Sequence, residues 1–345
     1  MSGSSLDGLD IVYCKFTKTE NWSFEILSET IANMSCWETR LQNARNLEAE
    51  KLELLDEAFG GFVGAEIQAF ISKNEITKLD IVASHGHTIY HFPEKRVTKQ
   101  IGLGSKIFEQ VKVPVLTNLR QKDMDKGGQG APIVPIGDLF LFADFKYCLN
   151  IGGIANISIK AKDSIVAFDI CSANQVLNYF AFLKGKKYDD GGKFARSGKL
   201  NQVLFEELNT LSFYEKAYPK SLDNAFTNDV LAIIKKHDLS IEDKLNTYCQ
   251  HIAFEIAHAI NTKELSQEQI LITGGGAFNV FLVECISNYV KEFNIEVVIP
   301  NAEIVNNKEA LVMAFMGVLY LRNENNCLAS VTGASSDTKS GEYIA

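Results

Sequence analysis

The chain has 345 residues, of which 46% are hydrophobic and 22% charged, with a net charge of -9. The length exceeds what one hydrophobic core normally serves, so two domains are expected, and the acidic balance argues against a protein built to grip nucleic acid on a basic face. Seven cysteines without a CxxC pair read as reduced thiols. With no secretory leader and no run apolar enough to span a bilayer, a cytoplasmic protein without a membrane partner is expected.

Two runs, Leu9–Thr17 and Trp22–Thr30, alternate like strands and flank the polar turn "KTEN", which predicts a hairpin. Apolar residues at helical spacing (Leu41, Leu47, Leu52, Leu55, Phe59, Phe62) predict two helices over residues 38–74. "LDIVAS", "TIYHF" and "TKQIGLG" predict short strands before a polar loop over Gln121–Pro132. There the pattern begins again: "KYCLNIGGIANISIK" is strand, turn, strand, and "SIVAFDI" is a third strand, a hint of internal duplication. Helices follow at Asn174–Leu183, Leu200–Asn209, Asp223–Lys236 and Ile241–Thr262. "QILIT" then runs into "GGGAFN" and a helix, and "IEVVIP" and a helix over Lys308–Arg322 complete the pattern.

Three glycine turns adjoin strands: Gly3–Asp10, Asn150–Asn156 and Gly274–Asn279. Glycine lets backbone approach a ligand, and successive N–H groups make an anion-binding hollow. A lone GG or GGG is an ordinary tight turn, and neither GxxxxGK[ST] nor GxGxxG occurs. Three such turns in the order hairpin, hairpin, strand–turn–helix suit a two-lobed phosphotransferase. Asp7 and Asp10 are then candidate carboxylates for Mg²⁺, although Asp7 is equally at home as a plain turn residue. Asp169, ending a strand, reads either as a reacting carboxylate or as a cap for the helix from Asn174. Glu309 reads as a reacting group or as a first-turn acid favoured by the helix dipole. His85, His87 and His91 have the spacing of one strand face, but no Cys or carboxylate pattern completes a zinc site. His251 and His258 lie among apolar helix residues, and Cys171 reads as a small buried filler.

"MSGSSLDGLD", "SHGHTIYHFP", "GGQGAPIVP", "LNIGGIANIS", "FDICSAN", "ITGGGAFN", "KEALVMAF" and "SVTGAS" occur in this order from Met1 to near Ile344. In this the chain resembles the anhydro-N-acetylmuramic acid kinases. The resemblance implies an α/β, two-domain actin-like ATPase (ribonuclease H-like) fold, with lobes at 1–145 and 146–345 and an interdomain cleft where the three turns converge. It implies ATP and Mg²⁺ as cofactors, a homodimer, and hydrolytic opening of 1,6-anhydro-N-acetylmuramic acid with phosphorylation at the 6-position in cell-wall recycling. Gly3, Ser4, Ser5, Leu6, Asp7, Gly8, Leu9, Asp10, Gly152, Gly153, Gly274, Gly275, Gly276 and Asn279 would meet ATP, with Asp7 and Asp10 near the metal. Asp169 would be the base and Glu309 its assistant. His85, His87, Arg120, Asp123, Gln129 and Asn174 would line the sugar site. Family members carry a strand before the first turn, so coding sequence upstream of Met1 is expected.

The chain departs from the family at three places. "DTGPGN" becomes "DICSAN" at residues 169–174, an aspartate becomes Asn118, and "PKSTGRE" becomes "PKSLDNA" at Pro219–Ala225. These changes fall where the sugar is expected. A kinase for a related sugar, and an ATP-binding protein with little kinase activity, are the competing readings.

Overall fold

The computed structural model describes residues 1–3, 6, 8–161, 164–218, 220–260 and 267–345, with residue 224 by its backbone alone. Ser4, Ser5 and Asp7, expected at the nucleotide, lie outside the described residues, as does Thr262, the expected end of a helix. The chain separates into two compact units: Met1–Leu141 with Asn307–Ala345, and Phe142–Asn306. The first boundary falls close to the expected division after residue 145. Residues 307–345, expected with the second lobe, belong to the first unit instead. Burial explains this, because Leu311, Val312, Phe315, Met316 and Leu319 are core residues. The Phe315 ring meets Trp22 at 5.0 Å, Phe16 at 5.4 Å and Phe140 at 6.2 Å between centroids.

The first unit opens with the expected hairpin, Leu9–Lys18 with Trp22–Ala32, antiparallel from Leu9 opposite Ala32 to Lys18 opposite Trp22. Trp22–Ala32 alternates half-buried and exposed positions, the period of a strand covered on one face. The two expected helices are Glu38–Asn43 and Ala49–Lys73, the second burying Leu52, Leu55, Phe59, Val63 and Phe70. On this helix a Cβ at Gly60 would lie 2.7 Å from the Leu103 carbonyl oxygen, so glycine permits the close approach of the segment leading into helix Gly104–Val111. A second hairpin pairs His87–Phe92 with Val97–Ile101. A small sheet has the order Glu342–Ile344, Val115–Thr117, Val82–Ala83.

The helix expected from Lys308 starts at Ala302 and ends at Leu321. Asn301 caps it, its side chain accepting the Ile304 N–H at 3.0 Å. By length and composition this helix is apolar enough to cross a membrane, contrary to the sequence expectation, and 61% of its apolar window is buried inside the protein. It has the apolar composition of a core helix.

The second unit is built on five strands in the order Ile295–Val298, Glu268–Thr273, Tyr147–Ile151, Ile154–Ala161, Ser164–Ser172. The first three are parallel to one another, and the remaining pairings are antiparallel. Tyr147–Ile151 is almost wholly buried, as a central strand covered on both faces should be. Helices Asn174–Leu183, Ile241–Ile260 and Val280–Val290 supply Val176, Tyr248, Ile252, Ile256, Leu282 and Ile286 to the same core. Asn201 and Asp223 cap the helices Gln202–Asn209 and Asn224–Lys236, accepting the N–H of Leu204 at 2.9 Å and of Phe226 at 3.0 Å.

One local pattern recurs in the two units. Ser2 bridges Leu9 in antiparallel fashion and the Asp10 N–H donates to the Met1 carbonyl at 2.9 Å, so residues 1–2 pair antiparallel with the start of the first strand. Gly152 and Gly153 form the tip between antiparallel Tyr147–Ile151 and Ile154–Ala161. In both units an antiparallel partner strand follows.

Candidate active site

In the second unit Asp169 stands on strand Ser164–Ser172, opposite Asn156. Its backbone N–H donates to the Lys220 carbonyl at 3.1 Å, and its carboxylate accepts the Leu222 N–H at 2.8 Å. Burial raises the Asp169 pKa above the ordinary carboxylate value, and the Leu222 N–H works against that rise by favouring the ionised form. The cap alternative fails. Ala173 is the N-cap of helix Asn174–Leu183, with no side-chain cap bond. What remains is a half-buried carboxylate inside a strand that runs on to Ser172, with raised basicity and a fixed orientation.

Two of the three glycine turns meet at one end of the second unit's sheet. The Gly152 carbonyl accepts the Asn174 N–H at 3.1 Å, and the Gly153 carbonyl accepts those of Ala173 at 2.8 Å and Gln175 at 3.2 Å. Asn174 returns the contact, its Nδ2 donating to the Ile151 carbonyl at 3.0 Å. Gly274 has φ of 80°, and a Cβ there would lie 2.6 Å from Asn150 Oδ1. At Gly276 a Cβ would lie 2.2 Å from Ile151 Cγ2. Both close approaches require glycine. Gly275 lies alongside, with Asn174 Nδ2 at 3.6 Å from where its Cβ would be. The Asn279 side chain, expected at the nucleotide, is committed to capping helix Val280–Val290 and accepts the Leu282 N–H at 3.1 Å.

In the first unit His85 is buried, its Nδ1 beside the Gly86 carbonyl at 3.2 Å and its Nε2 accepting from Arg120 Nε at 3.0 Å. Arg120 Nη1 donates to the Gly130 carbonyl at 2.8 Å. Burial, followed by the Arg120 charge, pushes the His85 pKa well down, so this imidazole is neutral. Burial lowers Arg120 to about 10, with Cys327 and Glu309 acting the other way, and the guanidinium stays charged at neutral pH. His87 Nδ1 lies 3.1 Å from Ser2 Oγ, and burial lowers its pKa too. Glu309 is exposed and lies well beyond the first turn of its helix, where Glu303 is the acidic residue. That removes its first-turn reading.

Asp123 is placed differently from the expectation. It is fully buried, one carboxylate oxygen accepting the Gly130 N–H at 2.8 Å and the other accepting Thr332 Oγ1 at 2.7 Å and Cys327 Sγ at 3.4 Å. It ties the glycine–glutamine loop to residues 327–332, which engages both of its carboxylate oxygens inside the protein. Gln129 in that loop is exposed, its N–H donating to the Thr332 carbonyl at 2.8 Å.

Among the described residues no group of three or more His, Cys, Asp and Glu side chains is placed to hold a metal. His85, His87 and His91 each have a separate partner, His91 Nδ1 lying 2.9 Å from Thr98 Oγ1. Asp10 is half-buried on the first strand opposite Ile31, and Leu9 beside it is core. Leu6 adopts φ of 56°, and a Cβ at Gly8 would lie 2.2 Å from Ile31 Cγ2, so this turn also packs closely on its neighbouring strand. Sequence reasoning missed the strap Lys220–Leu222. It acts through backbone groups, and only its departure from the family pattern drew notice to the region.

Two α/β units, the second bringing its Gly152–Gly153 tip against the turn Gly274–Gly276, go with a phosphotransferase of the kinase class. More particularly, the chain belongs to the family described as anhydro-N-acetylmuramic acid kinase, which matches residues 1–344. The anhydro-N-acetylmuramic acid kinase of Shewanella sp. (strain ANA-3) is 30% identical, the alignment covering 99% of this chain and 96% of that one. That of Sulfurovum sp. (strain NBC37-1) is 31% identical over 100% and 98%. Among solved structures, a ROK family glucokinase from Streptomyces griseus in complex with glucose and AMPPNP aligns with 88% of this chain and 98% of its own, at TM-score 0.38 and 11% identity.

Proposed function

We propose that this chain uses ATP and water to open the 1,6-anhydro ring of anhydro-N-acetylmuramic acid and phosphorylate the sugar at its 6-oxygen, as a step of cell-wall recycling. The observation that carries the reading is the environment of Asp169, a carboxylate freed from capping, made more basic by burial and aimed by one backbone N–H. As base it takes one proton of water while the remaining hydroxide bonds to the anomeric carbon. The bond from that carbon to the bridging oxygen breaks, and the freed 6-oxygen attacks the γ-phosphoryl group, releasing ADP. His85, with one ring nitrogen on the Gly86 carbonyl and the other on Arg120, orients the charged guanidinium, whose remaining N–H groups offer hydrogen bonds to a sugar hydroxyl or the lactyl carboxylate, and exposed Glu309 assists near the anomeric centre.

Gly274 and Gly276, where a Cβ would strike Asn150 and Ile151, seat their turn against the Gly152–Gly153 tip, and the backbone of the two turns together suits nucleotide. Half-buried Asp10 is a suitable donor for Mg²⁺, whose charge would offset that of the phosphates.

The departures at residues 170–173 and at Asp223 do not favour a different sugar. Ile170, Cys171, Ser172 and Ala173 are all buried, with Ser172 Oγ 2.8 Å from Thr227 Oγ1, so these replacements alter core packing. Asp223 is a helix cap. The test is phosphate transfer from ATP to anhydro-N-acetylmuramic acid by purified protein, alongside Asp169→Asn. Asparagine can still accept the Leu222 N–H but takes no proton, so kcat should fall about 100- to 10,000-fold with nucleotide affinity nearly unchanged. Full activity in Asp169→Asn would remove the base role.

A further inference from the structure

Asp169 lies on a strand whose two faces differ. Its neighbours Phe168 and Ile170 project to the opposite face, where they line a pocket of 250 Å³ with Tyr218, Lys220 and Glu255. Lys220 is docked there. Its Nζ donates to the carbonyls of Tyr214 at 3.4 Å and Phe213 at 3.5 Å. It also lies 4.8 Å from the Phe213 ring centre and 5.9 Å from that of Phe168. Glu255, on helix Ile241–Ile260, is buried and within electrostatic reach of the ammonium.

The backbone of the same lysine faces the other way. The Lys220 carbonyl accepts the Asp169 N–H, and two residues on the Leu222 N–H donates to the Asp169 carboxylate. Main chain and side chain of Asp169 are therefore both held by one three-residue strap. We propose that Lys220 is a positioning residue, whose ammonium, anchored on the far face of the strand, fixes the strap that aims the Asp169 carboxylate. The inference rests on Asp169 being the base.

The groups facing Lys220 set the terms of the test. Burial lowers its pKa, Glu255 and Cys171 raise it, and Lys216 lowers it again. His258 stands 3.7 Å from Glu255. If the ammonium is removed the strap loosens, the Leu222 N–H draws away from the carboxylate, and burial acts on Asp169 unopposed. Asp169 then takes its proton at higher pH.

Lys220→Met keeps the length and apolar stem and drops only the charge. The expected result is a fall in kcat of about 10- to 100-fold, as small misplacements of a reacting group produce. KM for ATP should be unchanged, and the acid limb of the kcat/KM profile should shift to higher pH. Lys220→Arg should restore most of the rate and return the limb. Thermal melts on the same samples report the folded fraction, and Lys220→Gln reads the same limb should Lys220→Met not fold. An acid limb at the wild-type position in a folded, neutral variant overturns the proposal, whatever its kcat. Asp169→Asn separates the two failures. Full activity there ends the base reading itself, whereas an inactive Asp169→Asn with an unmoved limb at Lys220 ends only the positioning role.

Discussion

Asp123 and Asp169 are both candidate site carboxylates in the sequence, and their surroundings suit them to opposite tasks. Asp123 has its two oxygens occupied by Gly130, Thr332 and Cys327. Truncation in Asp123→Ala leaves the Gly130 N–H and the Cys327 thiol without that acceptor inside the protein, while the Thr332 hydroxyl keeps the Leu328 carbonyl at 3.2 Å. Such orphaned groups cost about 1–3 kcal/mol each when no water reaches them, so a loss of roughly 3 kcal/mol is expected, read from urea denaturation. A loss below 1 kcal/mol would mean that water takes the place of the carboxylate. The sequence left Asp169 divided between cap and base because both uses need a short carboxylate before a helix. The partner that separates them, the Leu222 N–H, lies 53 positions along the chain and belongs to a backbone that every residue type shares.

The helix Ile241–Ile260 carries two buried titratable groups with opposite demands. His251 is held by Tyr214 and Asn209, and burial pushes its pKa down from 6.5 to about 3. Its folded form stays neutral where an unfolded histidine would charge, so its contribution is full above pH 6.5 and is lost as pH falls toward 3. Burial pushes Glu255 up from 4.5 to about 8, so its contribution is full below pH 4.5 and is lost as pH rises through 8. Between 4.5 and 6.5 the two slopes, each about 1.4 kcal/mol per pH unit, cancel. In Glu255→Gln the cancellation ends. Stability should then climb across that interval and level off toward pH 8, as urea midpoints taken against pH would show. An unchanged alkaline slope would exonerate Glu255. Helices like this one were legible because their apolar stripes are long. The start of Ala302–Leu321 was not, because its first turns carry polar residues (Glu303, Asn306, Asn307, Lys308) and only the cap Asn301 marks the entry.

At the scale of the whole molecule, the sequence showed two α/β units and a repeated hairpin but placed residues 307–345 in the wrong partner. Composition does not change at Asn307, and only long-range packing around Phe315 reveals which unit those residues complete. The second unit is one uninterrupted stretch of chain, whereas the first needs both ends. In refolding, closing the first unit spans the whole of the second, which costs loop entropy that the second does not meet. Pulse-labelled hydrogen exchange should therefore find amides of Tyr147–Ile151 and Glu268–Thr273 protected before those of Val115–Thr117, whose antiparallel partner is Glu342–Ile344. Simultaneous protection would argue against that order. On the ribosome the same split becomes a matter of time. With about 200 residues still to be made after Leu141, the first unit waits roughly 10 to 40 s at ordinary elongation rates, its sheet lacking an edge strand and its core lacking a helix. Through that interval the nascent chain's exposed apolar surface is open to any holding chaperone near the exit tunnel, and the last strand to be translated closes it.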